Sequence, residues 1–421
     1  MGPWTLAASI ISMIVGAGIF AAPAALAASV GPYAPVAFLA CGLAMSMVAI
    51  CFAEGGSRVP TSGGVYGVIE AAFGPMTGYV AGILLCVGNV LACGGIAAAF
   101  GDVIASLLPQ QFAAGVRVGV IISFVGGMAL VNISGVRHGA RLVGATTVIK
   151  LFPLVVFIVA GLGAVHPANF HQSQILNAEG VGHAIILAVF AYVGMESSLC
   201  ASGEVIRPNR TIPRALGIAM ASMIVLYVLI QVVAQGILGS ALASSHAPLA
   251  DAMGRVHPAL RALLLAGTAI SMFGWMGSDL LGSPRQIFAF ARDGQLPRIL
   301  GRVHPRTHAP HIAIICYAAI AILLALFGTF AELAVLSALP IVSLYTAGCA
   351  ASWVLVRRGV ALAGPPLNFP FIGTATVISV SSMLAVIAMG TRQEILALLC
   401  LIGGGVLVYY LLKARAVAVN Q

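Results

Sequence analysis

The sequence predicts an all-α integral membrane protein of twelve transmembrane helices, and three observations carry that prediction. Hydrophobic residues make up 61% of the 421 residues and charged residues 7%, with a mean hydropathy of +1.08; about a quarter of a typical soluble domain is charged. The apolar residues fall into runs of the roughly 20 residues that a spanning helix needs. The basic residues divide unequally between alternate loops, as they do in multi-pass chains.

Span one is read at 5–29. It contains Ser12-Met13-Ile14-Val15-Gly16-Ala17-Gly18-Ile19-Phe20-Ala21-Ala22-Pro23, two glycines and a proline where a helix should be continuous. Backbone that leaves the helix inside lipid must have its N–H and C=O groups satisfied by protein, water or a bound solute, so this interruption points to a solute site. Span two (33–56) leads into Ser57-Arg58-Val59-Pro60-Thr61-Ser62-Gly63-Gly64. Span three (76–107) is rich in glycines that let membrane helices approach closely. Span four (117–135) precedes span five (143–164), which holds Lys150, the one lysine of the first 412 residues. Span six (181–201) carries a second interruption, Phe190-Ala191-Tyr192-Val193-Gly194-Met195-Glu196-Ser197, and leads into a basic loop that contains Glu204. Spans seven (215–238) and eight (260–290), with Asp279 midway along eight, end at Asp293-Gly294-Gln295-Leu296-Pro297. Spans nine to twelve are read at 311–328, 332–356, 372–391 and 394–413.

With the N-terminus inside, fifteen of the Lys and Arg residues lie on inner loops and the tail, and only Arg117, Arg255, Arg261 and Arg392 lie outside. That split places both termini in the cytoplasm of a cell whose inner membrane the chain crosses. It also accounts for the net charge of +9 without nucleic acid, since the basic residues are scattered and have no aromatic interleaving. Met1-Gly2-Pro3-Trp4 runs directly into span one, so no cleaved leader is expected. The eight cysteines form no Cys-x-x-Cys pair and read as small hydrophobes in helix contacts. Nucleotide loops, dinucleotide fingerprints and paired metal-ligand spacings are missing. No cofactor, no metal and no enzyme chemistry are expected.

Two interruptions separated by an odd number of helices suggest five spans repeated in inverted orientation, 1–165 and 166–357, with the last two spans and tail in 358–421 added outside the repeat. Gly16, Ala17 and Gly18 leave bare N–H groups at the positive end of a half-helix, which suits a carboxylate; a packing pair of glycines before a proline kink is the plainer alternative. Freed carbonyls near Phe190 to Val193 suit an ammonium group, and Phe190 is the natural lid. Glu196 is costly inside a membrane and reads as functional by default. It holds a proton, pairs with a base or simply bonds freed backbone. Lys150 needs partners such as the carbonyls of the first interruption, unless it snorkels to the inner surface. Asp279 and Asn89 are polar groups within spans, candidates for substrate contact or for inter-helix bonds. Asp102 lies near an outer end where it reaches water, and Glu54 reads as an inner ion pair or loop anchor.

Gly16-Ala17-Gly18-Ile19-Phe20, Arg58-Val59-Pro60-Thr61-Ser62-Gly63-Gly64-Val65-Tyr66, Glu70-Ala71-Ala72-Phe73-Gly74-Pro75, Tyr192-Val193-Gly194-Met195-Glu196 and Asp293-Gly294-Gln295-Leu296-Pro297 together resemble the amino acid–polyamine–organocation family of secondary transporters, over nearly the whole chain. The resemblance implies the inverted-repeat fold shared with the sodium-coupled leucine transporters, and amino acid transport by alternating access. It implies substrate binding by Ile14, Gly16, Ala17, Gly18, Ile19, Asn89, Phe190, Ala191 and Val193, to which Glu196 and Asp279 are added from the residues themselves. Lys150 matches the span-five lysine of proton-coupled and sodium-independent members, so Lys150 and Glu196 are the expected coupling groups. The arginine–agmatine exchanger branch lacks that lysine and has a tryptophan at the Phe190 position; its span-eight tryptophan aligns with Asp279. The expected partners are a small amino acid, a proton and the lipid bilayer, with the protein a monomer or homodimer. A polyamine or organic-cation carrier and a non-transporting sensor or subunit are the alternatives.

Overall fold

The computed structural model describes residues 2–16, 18–59, 64–106, 108–134, 150–171, 178–196, 208–292, 294, 296–362 and 365–419. The described residues form helices and turns and no strand. Helix α1 (Pro3–Ile14) and helix α2 (Gly18–Val30) are separated at Val15 and Gly16, and Pro23 lies inside α2. The proline therefore does not make the break; the residues that lack side chains before it do. Helix α3 (Ala34–Arg58), the short helix α4 (Gly64–Phe73), α5 (Pro75–Ala105) and α6 (Gln110–Ser134) follow. Gly74, at φ +92°, turns the chain into α5, and Pro75 opens that helix where its missing N–H costs nothing. Helix α7 (Lys150–Ala164) and helix α8 (Ala178–Ala191) come next.

The chain continues as α9 (Pro208–Leu238), the short α10 (Pro248–Val256), α11 (Pro258–Arg292), α12 (His311–Phe327), α13 (Phe330–Arg357), α14 (Ile372–Ala388) and α15 (Arg392–Val419). The sequence reading placed no helix at α4 or α10, both too short to cross lipid. Among the described residues seven helical stretches are long and apolar enough to cross a membrane, and shorter apolar helices, α7, α8, α12 and α14 among them, join them. Only 11% of the apolar window of α15 is buried by protein, while Leu396, Leu399, Leu407 and Leu411 are exposed. A surface of that kind is stable against lipid and not against water. The protein is a multi-pass membrane protein.

Helix α3 lies along α9, α5 along α13, α1 along α9 and α2 along α8. Close approach depends on missing side chains: a Cβ on Gly88 of α5 would stand 2.6 Å from the Ile341 Cδ1 of α13. Two ion pairs close the ends of the bundle. Arg58 Nε donates to Glu54 Oε1 at 2.7 Å, both side chains buried. Arg58 also donates to Asn368 Oδ1 and the Val360 carbonyl, and Glu54 accepts from the backbone N–H groups of Asn368 and Phe369. The pair thus anchors the linker between α13 and α14. Asp102 accepts from Arg117 Nε at 2.7 Å, so an arginine rather than water alone satisfies it. Glu204 lies outside the described residues.

Candidate functional site

The break in span one has four carbonyls that a continuous helix would have used, and side chains from three other helices satisfy them. Lys150 of α7, 1% exposed, donates its Nζ to the carbonyls of Ser12 and, at 2.8 Å, Val15. Tyr227 of α9 donates to the Ile14 carbonyl at 3.0 Å. Ser271 of α11 donates to the Gly16 carbonyl at 3.3 Å. The segment is therefore held open by an amino group and two hydroxyls rather than left loose. The Ile14 carbonyl also accepts the Gly16 N–H at 2.8 Å, so both of its lone pairs are engaged within the protein.

The second break begins later than the sequence suggested. Phe190 and Ala191 are still helical, and the chain leaves the helix over Tyr192 to Gly194. The Tyr192 N–H donates to the Val189 carbonyl and the Val193 N–H to that of Phe190, at 2.9 and 3.1 Å. The Phe190 carbonyl is thus occupied, because the helix end tightens into a short turn that consumes it. Glu196 Oε2 accepts the Gly194 N–H at 3.1 Å and the hydroxyl of Tyr345 on α13. Its carboxylate thus ties the turn to a neighbouring helix.

The two breaks touch. Gly194 has φ +128°, and a Cβ there would stand 2.9 Å from the Met13 carbonyl oxygen; glycine alone meets both conditions. Next to this contact lies a cavity of about 40 Å³ lined by Met13, Ile14, Gly16, Gly18, Asn89, Ala92, Ile96, Phe190, Ala191, Val193, Gly194, Glu196, Trp275, Asp279, Ser337 and Ile341. The N-terminus of α2 and the C-terminus of α8 both end in its wall. The first offers unpaired N–H groups and partial positive charge, the second partial negative charge. Phe190 is buried, sits edge-on to Phe330 at 6.0 Å between ring centroids, and has its Cε1 3.7 Å from where a Gly18 Cβ would be.

Of the residues read from the sequence, the cavity brings together Ile14, Gly16, Gly18, Asn89, Phe190, Ala191, Val193, Glu196 and Asp279. Ile19 has its side chain fully buried in the apolar core, leaving its backbone N–H near the α2 terminus. Ala17 lies outside the described residues. Lys150 lies behind the span-one segment, on its carbonyls, rather than in the cavity wall. The span-eight aromatic of the cavity is Trp275, one turn before Asp279. Its Cδ1 would meet a Gly16 Cβ at 2.6 Å, so the bare backbone at Gly16 is what admits the indole.

Sequence reasoning missed Trp275, Ser337 and the hydroxyls of Tyr227, Ser271, Ser283, Tyr317 and Tyr345. The one signal available was arithmetic: buried acids and open backbone need donors, and tyrosines within spans supply them. Among the described residues no group of three or more His, Cys, Asp and Glu side chains comes together as a metal site would require.

The sequence profile of the amino acid permease family matches residues 1–406. An uncharacterised transporter of Mycobacterium tuberculosis is 34% identical over 75% of this chain and 71% of its own. The serine/threonine exchanger of Bacillus subtilis is 27% identical over 83% of this chain and 81% of its own. The methylthioribose transporter of the same bacterium is 28% identical over 71% and 68%. For a second mycobacterial transporter, 32% identical, the match spans 66% of the relative's length. With a family profile covering nearly all of a multi-pass helical chain whose spans break around one cavity, the protein belongs to the amino acid permease family.

Proposed function

We propose that the protein is a secondary transporter of amino acids that works by alternating access, independently of sodium, as a proton symporter or an amino acid exchanger. The observation that carries this reading is that the positive end of α2 and the negative end of α8 meet at one cavity. Opposite half-helix ends grip opposite ends of a zwitterion, the carboxylate at Gly16 to Ile19 and the ammonium at the α8 terminus. The cavity, about 40 Å³, is far below the roughly 300 Å³ at which small-molecule sites begin. Substrate entry therefore requires helices to part, as an alternating-access cycle does.

In this reading α1 and α2 are one broken span, and twelve spans form two inverted repeats, 1–165 and 166–357, followed by 358–421. The arginine distribution supports cytoplasmic termini, and in this reading the membrane crossed is the inner one. Lys150 places its amino group on the carbonyls of the first break, a cluster of oxygens that suits a cation. It supplies the charge that sodium would otherwise bring, and with Glu196 it is the candidate for proton coupling. The serine/threonine exchanger among the relatives supports exchange; the methylthioribose transporter shows that similarity at this level leaves the substrate open.

The test is uptake by the purified protein in liposomes, with the twenty amino acids and common polyamines, at two pH values, with and without sodium. Sodium-independent uptake of at least one amino acid is expected. Binding without flux would make the protein a sensor or subunit instead. A polyamine or organic-cation carrier is the second reading, favoured by two acids, Asp279 and Glu196, in one cavity wall. It predicts that a substrate without a carboxylate competes as well as any amino acid.

A further inference from the structure

The cavity has a wall that neither break supplies, built from α5, α11 and α13. We infer that Asp279 and Asn89 form on this wall a subsite for a substrate side chain carrying a hydrogen-bond donor, either a hydroxyl or an ammonium. The inference rests on the amino acid reading above and names the side-chain class.

The polarity of the wall follows from the direction of its hydrogen bonds. Asn89 Nδ2 donates to Ser283 Oγ at 3.0 Å, and an amide N–H cannot accept. Ser283 is thereby left to spend its own hydrogen on Asp279 Oδ1, at 2.6 Å. Tyr317 of α12 spends its hydroxyl hydrogen on Asp279 Oδ2, at 2.7 Å. Every hydrogen of this relay points at the carboxyl group, the Cys93 thiol of α5 is a third partner, and of the roughly four acceptor sites of a carboxylate one is left. Asp279 is 5% exposed and lines the cavity beside Asn89. Among the described residues it joins none of the ion pairs. A carboxyl group to which its Ser283 and Tyr317 partners both donate, held in a wall this buried, is completed by a solute that donates.

An apolar side chain brought to this wall leaves the acceptors unpaired, and sites built around hydrogen bonding reject such analogues strongly. The remaining surfaces there, Trp275 and Ile341, bound the size of the side chain and add no charge.

The experiment is competition for uptake in liposomes by near-isosteric pairs: threonine against valine for a hydroxyl, ornithine against norleucine for an ammonium. Wild-type protein is expected to favour the donor-bearing member of at least one pair by tenfold or more, and the pair that responds identifies the donor. Asp279→Leu is expected to bring that ratio within about twofold, whatever the absolute rate of uptake. Tyr317→Phe, a milder variant that removes one hydroxyl from the carboxylate, is expected to raise the KM of the donor-bearing substrate and leave that of alanine unchanged. A wild type that discriminates neither pair overturns the subsite, as does Asp279→Leu or Tyr317→Phe with the full preference intact. Uptake of no amino acid at all, alanine included, overturns the transport reading itself and the subsite with it.

Discussion

Replacing Gly194 by alanine puts the contact between the two breaks under direct load. At φ +128° an L-residue is held in a sparsely populated backbone region, at about 1–3 kcal/mol. The added methyl would also stand 2.9 Å from the Met13 carbonyl oxygen and 3.2 Å from the Ile14 nitrogen. These are backbone atoms that cannot swing aside as a side-chain tip does, and overpacking of this kind costs about 1–3 kcal/mol. The lower ends together give about 2 kcal/mol, a factor of about 30 in any equilibrium that needs the breaks in contact. Initial uptake rates in liposomes should therefore fall by about that factor, with the variant still inserted and folded by its melting in detergent. Gly217→Ala is the matched control: Gly217 is exposed on α9, nothing stands within 4 Å of its added methyl, and helix propensity favours alanine by up to about 1 kcal/mol. It should transport within twofold of wild type and melt no lower. A Gly194→Ala protein with wild-type rate and melting would refute the argument that the breaks meet at backbone level.

Lys150→Ala strips the donors from the Ser12 and Val15 carbonyls, at about 1–3 kcal/mol for each one left unsatisfied. Uptake should drop more than tenfold, and near-normal, pH-dependent uptake would remove Lys150 from coupling. Tyr227→Phe deletes a single neutral hydrogen bond to Ile14, about 0.5–1.5 kcal/mol. A several-fold loss of rate with little change in melting is expected, and an unchanged rate would show that the hydroxyl does not position the break. Glu54→Leu leaves Arg58 charged and buried, about 3–5 kcal/mol. It should lower the melting temperature clearly and expose the linker around Asn368 to proteolysis, whereas unchanged melting would contradict the anchoring role of the pair.

The apolar helices were legible because membrane spans announce themselves by composition. The interruptions were legible because glycine pairs and an acid have no routine place in such spans. Position along the chain was less legible. Pro23 draws the eye as the breaker of span one, yet α2 runs through it and the break lies earlier, after α1 ends at Ile14; other helices offer donors to the carbonyls freed there. The second break similarly starts after Ala191 because helix ends tighten before they open. Trp275 was hidden for a different reason: an aromatic in an apolar run looks the same whether it faces lipid or a glycine across the bundle. The donors Tyr227 and Tyr345 lie 213 and 149 residues from their acceptors, Tyr317 lies 38 residues from Asp279 on the next helix, and no local pattern ties a hydroxyl to a carbonyl or carboxylate across such separations. Residue 279 could be read as unusual, but the relay that makes it an acceptor had to be seen.

In the proposed mode of binding, opposed helix ends hold both charged ends of a zwitterion, and blocking one end at a time separates their contributions. Uptake of the best amino acid substrate is measured in liposomes against its methyl ester, which hides the carboxylate, and its N-acetyl derivative, which hides the ammonium. Neither derivative should compete at a hundredfold excess, while the unmodified amino acid competes at its own KM. Competition by either derivative as strong as that of the parent would mean that one helix end grips nothing, and would contradict the account.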